Sequence, residues 1–173
     1  MSDEMDGLFD RFAGLLADEI PCALATVVDG PGVGQKLLVR RTHRDGHEVD
    51  GTLGDDDLDR VVTRDALGEL SAGRSGVRHY GERGEARENA VSVFIESFAA
   101  PPRMLVFGAV DFTAALVRVA KVLGYRITVC DAREVFATRQ RFPLADEVVV
   151  DWPDRLLAQV GPDLRRRDAV CVL

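Results

Sequence analysis

The sequence predicts an α/β protein: a small N-terminal α+β domain followed by a truncated Rossmann-like domain built on a parallel sheet. Three observations predict it. Short β-branched runs separated by turn signals fill residues 1–98, with a hairpin mark at Asp45-Gly46. Residues 99–102 then form a linker, because Pro101 and Pro102 cannot continue a ladder and favour an extended connector. In residues 103–173 strand and helix alternate at the spacing of parallel βαβ units.

Each element has a local reason. "DGLFDRFAGLLADEI" is an amphipathic helix with Leu8, Phe12, Leu15 and Leu16 on one face. Asp3, Glu4 and Asp6 suit its dipole, and Pro21 ends it. "CALATVVD" is a short buried strand and "GPGVGQ" a turn. "KLLVRRT" and "HEVDGTL" are strands. "DDLDRVVTRDALGELSAG" is a helix with Leu58, Val61, Val62 and Leu67 on its apolar face and Gly73 as its stop. "GVRHYG" and "NAVSVFIESF" return to strand, split by the polar "ERGEAREN".

Past the linker, "RMLVFG" is a continuous apolar run, as in a parallel strand buried on both faces. "FTAALVRVAKVLG" is a helix with Leu116, Val119, Ala120 and Leu123 on one face and Gly124 as its stop. "YRITVCD", "DEVVVD" and "DAVCVL" are further strands. "PDRLLAQVG" is a short helix with Pro153 in its first turn. A complete doubly wound sheet has more strands than these, so the sequence predicts a half-built sheet, a fragment, or a chain completed by a partner. An unpaired edge at the terminus favours association, and a homo-oligomer is expected.

Composition narrows the function. The chain has 173 residues, 46% hydrophobic and 29% charged, an ordinary globular balance. Its net charge is -7, which argues against nucleic acid, since such binding needs a concentrated basic face. Arg40-Arg41 and Arg165-Arg166-Arg167 read as solvated faces. No apolar run has membrane-spanning length, and the acidic N-terminus is no signal peptide. Cys22, Cys130 and Cys171 show no paired spacing, so neither disulfides nor a zinc clasp is suggested. The expected compartment is the cytosol.

The candidate site is the turn after "RMLVF". It follows a strand, opens a helix, and carries one glycine of the three in a dinucleotide fingerprint. Gly108 meets the first place. Val110 puts a branched side chain where a diphosphate would approach, and Thr113 fills the third place. With Ala109, these residues form the cofactor-facing backbone. Asp111 stands at the expected N-cap, where its carboxylate would accept from the amide of Thr113 or Ala114 and repel a phosphate. Asp131 ends the next strand, at the usual place of a ribose-binding acid about 20 residues on. Arg133 beside it would favour a phosphate or pair with Glu134.

The run "PPRMLVFGAVDFTAALVRVAKVLGYRITVCDAREVFATRQRFPLADEVVVDWP", above all "VCDAREVFATRQRFPLADEVV", resembles the XdhC/CoxI family, the xanthine dehydrogenase accessory proteins. "PCALATVV" and "KLLVR" resemble the start of that family's first domain, so the likeness runs from about residue 21 to 173 and identifies a divergent, C-terminally short member. The resemblance implies a small α+β domain paired with a Rossmann-like one. It implies a role in maturing molybdenum hydroxylases, of the xanthine or CO dehydrogenase type: holding the molybdenum cofactor, assisting its sulfuration with a cysteine desulfurase, and delivering it to the hydroxylase subunit. NAD(P) or FAD is the alternative cofactor by the same likeness. The family's Ser-Gly-Gly-Cys turn is replaced by "GTLGDDDLD", and its later Cys-Gly-Gly segment by "ERGEAREN". Its "GAGH" turn is "GAVD" here. The family continues past the position of Leu173. No functional cysteine carries over; Gly108 and Asp131 carry over by position.

Other residues have bland readings. Asp55, Asp56 and Asp57 suit a helix start rather than a metal. His43 and His47 flank the hairpin turn without a third ligand. His79 has no evident partner. The three cysteines read as small core residues, and Trp152 as a packing anchor. The preferred function is non-enzymatic: an accessory protein of molybdenum-enzyme maturation, with cofactor binding either kept or lost. The alternatives are a nucleotide-dependent oxidoreductase or dinucleotide-binding module, and a structural partner of a longer homologue.

Overall fold

The antiparallel and parallel halves of the sequence fold as two separate sheets. The computed structural model describes residues 2–42, 46–81, 84 and 90–173. The chain divides into two units, Met1–Ala100 and Pro101–Leu173.

In the first unit, α1 (Ser2–Ala17) precedes β1 (Cys22–Asp29), β2 (Lys36–Arg41), β3 (His47–Thr52), α2 (Asp56–Ala72), β4 (Gly76–Tyr80) and β5 (Val91–Phe98). The strands form one antiparallel sheet in the order β3-β2-β1-β5-β4. Alternation assigns its two faces. Ala23, Ala25, Val27, Val39, Val93 and Ile95 bury against Leu58, Val62, Ala66 and Leu70 of α2. Cys22 and Leu38 face the other way and meet Leu8, Phe12 and Leu15 of α1. The Phe12 ring stands edge-on to Phe98 at 5.1 Å. Burying each leucine of this kind contributes about 2 kcal/mol. Leu16, expected on the same face, is 40% exposed, because the sheet meets only one narrow stripe of the helix. Asp3, Glu4 and Asp6 lie outside the described side chains, and Asp45 of the expected hairpin turn lies outside the described residues.

Helix α2 is closed at both ends from its own sequence. Asp55 is extended (φ -145°, ψ 130°), and its carboxylate accepts from the amides of Asp57 and Leu58 at 3.0 and 3.1 Å. Gly73 adopts the left-handed conformation that ends the helix (φ 62°).

The second unit runs β6 (Arg103–Phe107), α3 (Thr113–Val122), β7 (Arg126–Cys130), β8 (Glu147–Val149), α4 (Pro153–Val160) and β9 (Ala169–Val172). All strand pairs are parallel, in the order β8-β7-β6-β9. Counted from β6, that is the 3-2-1-4 order of a Rossmann half, with the switch point between β6 and β9. Met104, Val106, Ile127 and Val129 pack with Val117 and Ala120 of α3. Leu105, Phe107 and Cys130 face the opposite side and meet Leu156 of α4.

Two expectations fail here. The core face of α3 is Thr113, Val117 and Ala120, with Leu116 partly buried. Val119 and Leu123 are 58% and 65% exposed. Arg118 and Lys121 are the helix's sole charged residues, so several stripes satisfy the apolar spacing, and the sheet chooses one. Trp152 is no packing anchor: it stands at the α4 entrance, 59% exposed.

The β7–β8 crossover carries no helix among residues 131–146. Phe142 plugs it into the α3-side core. Asp146 closes it, accepting from the Ile127 amide at 2.7 Å and from Lys121. This segment leads back to the turn after β6.

Candidate functional site

The turn at residues 108–112 lies at the carboxyl end of β6, beside the switch point where open α/β sheets bind ligands. Gly108 has φ +120°, a backbone state that L side chains rarely adopt. A Cβ there would stand 2.8 Å from the Leu173 carbonyl oxygen. The Gly108 amide donates to Cys130 O, and the Leu173 amide to Phe107 O. The turn is therefore clamped between β7 and the strand on its other side.

Asp111 does not cap α3. Phe112 holds the cap place in helical conformation (φ -84°), and no side chain caps the helix. The Asp111 carboxylate is fully exposed and touches Arg141 at 3.4 Å. An N-cap needs an extended backbone that turns its oxygen over the first helical amides; a helical Phe112 pushes Asp111 one residue too far out. The role of closing the helix entrance falls to Thr113, which is wholly buried. Its hydroxyl donates to Gly108 O at 2.7 Å and accepts from the Val110 amide at 3.2 Å. The Thr113 amide in turn bonds Val110 O.

The acid that holds the turn is Asp131. It is 6% exposed. One oxygen accepts from the Ala109 amide at 2.8 Å and from Arg133 Nη2 at 2.7 Å. The other accepts from the amide and the Nε of Arg133, both at 2.9 Å. The Arg133 guanidinium, ahead of the two amides, holds the Asp131 carboxyl well below the usual carboxylate range against the opposing effect of burial. Arg133 pairs with Asp131. Its guanidinium also lies 4.4 Å from the centre of the Phe136 ring.

Arg141 completes the arrangement. It donates to the carbonyls of Ala109 and Phe136 at 2.9 and 3.2 Å and lies over Phe136 and Phe142. Sequence reasoning did not single it out. Its signal was its place inside the "RQRFP" segment, where a long donor next to a buried aromatic can reach a neighbouring turn.

These contacts test whether a dinucleotide fits. A carboxylate offers about four lone-pair sites, and four in-chain donors occupy those of Asp131. The turn's free backbone space is met by Leu173, and its amides at Ala109, Val110 and Thr113 are all bonded. The Gly108, Ala109, Val110, Asp111, Asp131 and Arg133 set thus forms a closed turn in this conformation, and a ribose would have to displace Arg133.

The described residues also do not furnish a thiolate hold for a molybdenum cofactor. Cys22 and Cys130 are buried, and Cys171 packs partly against the α3-side core. Burial pushes both buried thiols up, which disfavours the metal-binding thiolate. The Cys130 thiol donates to Asp151 O at 3.2 Å. At residues 51–59, Asp55 is spent on α2 and Asp59 accepts from the Leu53 amide at 2.7 Å. Among the described residues there is no group of metal-holding side chains. His43 lies outside them; His47 is exposed, and His79 has a partner, the Ser92 hydroxyl at 3.0 Å. No helix among them is long and apolar enough to cross a membrane.

The chain thus carries an antiparallel unit followed by a parallel-sheet unit of Rossmann type. The model of the XdhC and CoxI family matches residues 15–81, and that of the XdhC Rossmann domain matches residues 104–173. The chain belongs to the XdhC and CoxI family. It is 28% identical over 72 residues to a probable xanthine dehydrogenase subunit of Bacillus subtilis (strain 168), covering 42% of this chain and 22% of that protein. It is 27% identical over 143 residues to the uncharacterized protein YqeB of Escherichia coli (strain K12), covering 79% and 26%. The chain thus spans about a quarter of the length of these curated relatives. A solved structure described as a xanthine dehydrogenase from Bacillus halodurans aligns with a TM-score of 0.44 at 19% identity, over 88% of this chain and 67% of that one.

Proposed function

We propose that this chain is a non-catalytic accessory protein in the maturation of a molybdenum hydroxylase of the xanthine dehydrogenase type. Membership of both units, in order, in one accessory family carries the reading. The partner is the hydroxylase subunit, met in the cytosol before it is loaded. A cysteine desulfurase belongs to the same route.

The chain's share in that route is to bind partners rather than to ligate molybdenum. The buried, raised thiols support this, as does the use of Asp55 and Asp59 in the fold where the family keeps a cysteine. The closed turn at Gly108 supports a scaffold role for the Rossmann half.

The test is binding to xanthine dehydrogenase produced without molybdate. Biolayer interferometry is expected to give saturable binding to the unloaded enzyme, and metal analysis of the isolated accessory chain no molybdenum. Failure to bind the unloaded enzyme sinks the accessory reading. Titration calorimetry with NAD, NADP and FAD addresses the rival reading: micromolar binding that is lost in Gly108→Val would establish a dinucleotide module instead.

A further inference from the structure

We propose that the groove between α2 and the edge strand β3 receives an extended acidic segment of another protein, laid along β3 as a sixth strand of the first unit's sheet. The proposal goes beyond the maturation role and does not depend on it.

The sheet is wider than the helix that covers it. α2 buries Leu58, Val62, Ala66 and Leu70 on the sheet, and the inner face of β3 is left open. Val49 belongs to that face, since it stands opposite the buried Val39, yet it is 40% exposed. Beside it lies a groove of about 760 Å³, open to solvent, with Leu67 and Gly68 of α2 on the other wall.

Three observations select the occupant. The first is the backbone. β3 ends its sheet, and among the described residues no strand pairs with its outer edge. Such an edge offers free amides and carbonyls to an incoming strand. The charged side chains of β3 do not guard the groove: Glu48 and Asp50 alternate onto the opposite face, where Arg40 and Arg11 hold them.

The second is charge. Arg41, Arg60 and Arg64 line the groove against one acid, Asp59, which already accepts from the Leu53 amide. Arg60 and Arg64 pair with Asp57 and Asp65, but their side chains are 72% and 74% exposed, and surface pairs of this kind are weak enough to exchange. Arg41 bonds a neutral group, the Ser71 hydroxyl, at 2.8 Å. That bond places Arg41 where α2 finishes. Arg60 lies where α2 starts, next to the Asp59–Leu53 bond. An occupant with a carboxylate at each end and an apolar residue between them, over Val49 and Leu67, matches this order.

The third is space. Gly68 is inside α2, where glycine weakens a helix, and a Cβ there would meet nothing within 4 Å. Crowding among the described residues therefore does not require it. It leaves the groove wall bare, as the close approach of another backbone needs.

The probe is a dye-labelled, blocked peptide, Thr-Glu-Thr-Val-Thr-Glu-Thr, whose alternate residues face α2 when it pairs with β3. Fluorescence anisotropy with the full 173-residue chain is expected to give a Kd on the order of 100 μM, as for a contact well below standard interface size. Hydrogen exchange should slow at amides of β3. The same peptide with lysine for glutamate should not bind. Arg41→Glu and Arg64→Glu should each raise Kd by about tenfold or more, since a like charge then faces the peptide. Gly68→Leu should do the same by filling the groove, with Tm level or higher because leucine favours the helix. Arg118→Glu, exposed in the second unit, should leave Kd unchanged. Circular dichroism checks the fold of each variant, and the lysine peptide tests the native chain without any variant. No binding of the glutamate peptide, equal binding of the lysine peptide, β3 amides left unprotected, or binding indifferent to Gly68→Leu overturns the proposal. Self-association that the peptide dissolves would put a second copy in the groove and overturn it too.

Discussion

The entrances of α2 and α3 each follow an aspartate, and the two aspartates do opposite things. Asp55 folds back over α2 and holds two of its first amides. Asp111 points to solvent, and the α3 entrance is closed by Thr113 from inside the helix and by Asp131 from the neighbouring strand. The difference lies in what surrounds each entrance. α2 starts from an exposed loop, where the nearest acceptor is the chain's own preceding side chain. α3 starts inside a sheet crevice, where β7 and the crossover bring stronger partners. A capping residue is a local device; it yields wherever tertiary structure supplies a better one.

Breaking the tertiary device should cost most. Asp131→Ala leaves the buried Ala109 amide without its acceptor and Arg133 without its partner; a loss of about 3 kcal/mol is expected in urea unfolding. Asp131→Asn should recover part of it. The same group sets a pH dependence. The carboxyls of Asp131 and Asp146 are held low, by Arg133 and Lys121 first of all. Burial pulls Asp168 up, but the amides of Arg103 and Arg165 and the Arg103 side chain outweigh it, so that it too sits low. A carboxyl lowered by folding stabilises the folded state above its unfolded value, about 3.9, and that stabilisation is lost as pH falls through the lowered folded value. Stability should therefore be level near neutrality and fall below about pH 4, with a shallower fall in Asp131→Asn. Equal slopes in the two proteins would mean that Asp131 does not hold the turn.

Next in size is Gly108→Ala. It forces a side chain into left-handed backbone with the Leu173 carbonyl in its way, and about 2 kcal/mol should be lost. Asp55→Ala removes one local cap and should cost about 1 kcal/mol. The smallest effect sharpens the comparison: Asp111→Ala should change stability by less than about 0.5 kcal/mol, as for other exposed ion pairs. A loss at Asp111 as large as that at Asp55 would falsify the contrast between the two entrances.

Much of this molecule was legible in its sequence for local reasons. Alternation in "CALATVVD" and "VSVFIESF", the apolar runs before Gly108 and Asp131, the acidic start and the Gly73 stop of α2 and the Pro153 start of α4 each depend on a few neighbouring residues. The candidate site was legible only as a place. Gly108 and Asp131 stood where a Rossmann turn and its acid stand. That Asp131 serves the turn itself, through Ala109 and Arg133, depends on the pairing of β6 with β7. Arg141 was missed because its partners lie far from it in sequence and are backbone carbonyls, which leave no mark in residue identity.

The sequence by itself determined the two kinds of sheet, the order of elements and the family, because periodicity, turn chemistry and a conspicuous crossover segment are properties of short stretches. Only the tertiary structure decided which aspartate closes the helix entrance and which stripe of α3 is buried. Those outcomes are competitions among groups that folding alone brings together, and an acceptor or an apolar face carries no record in the sequence of the partner that will win it.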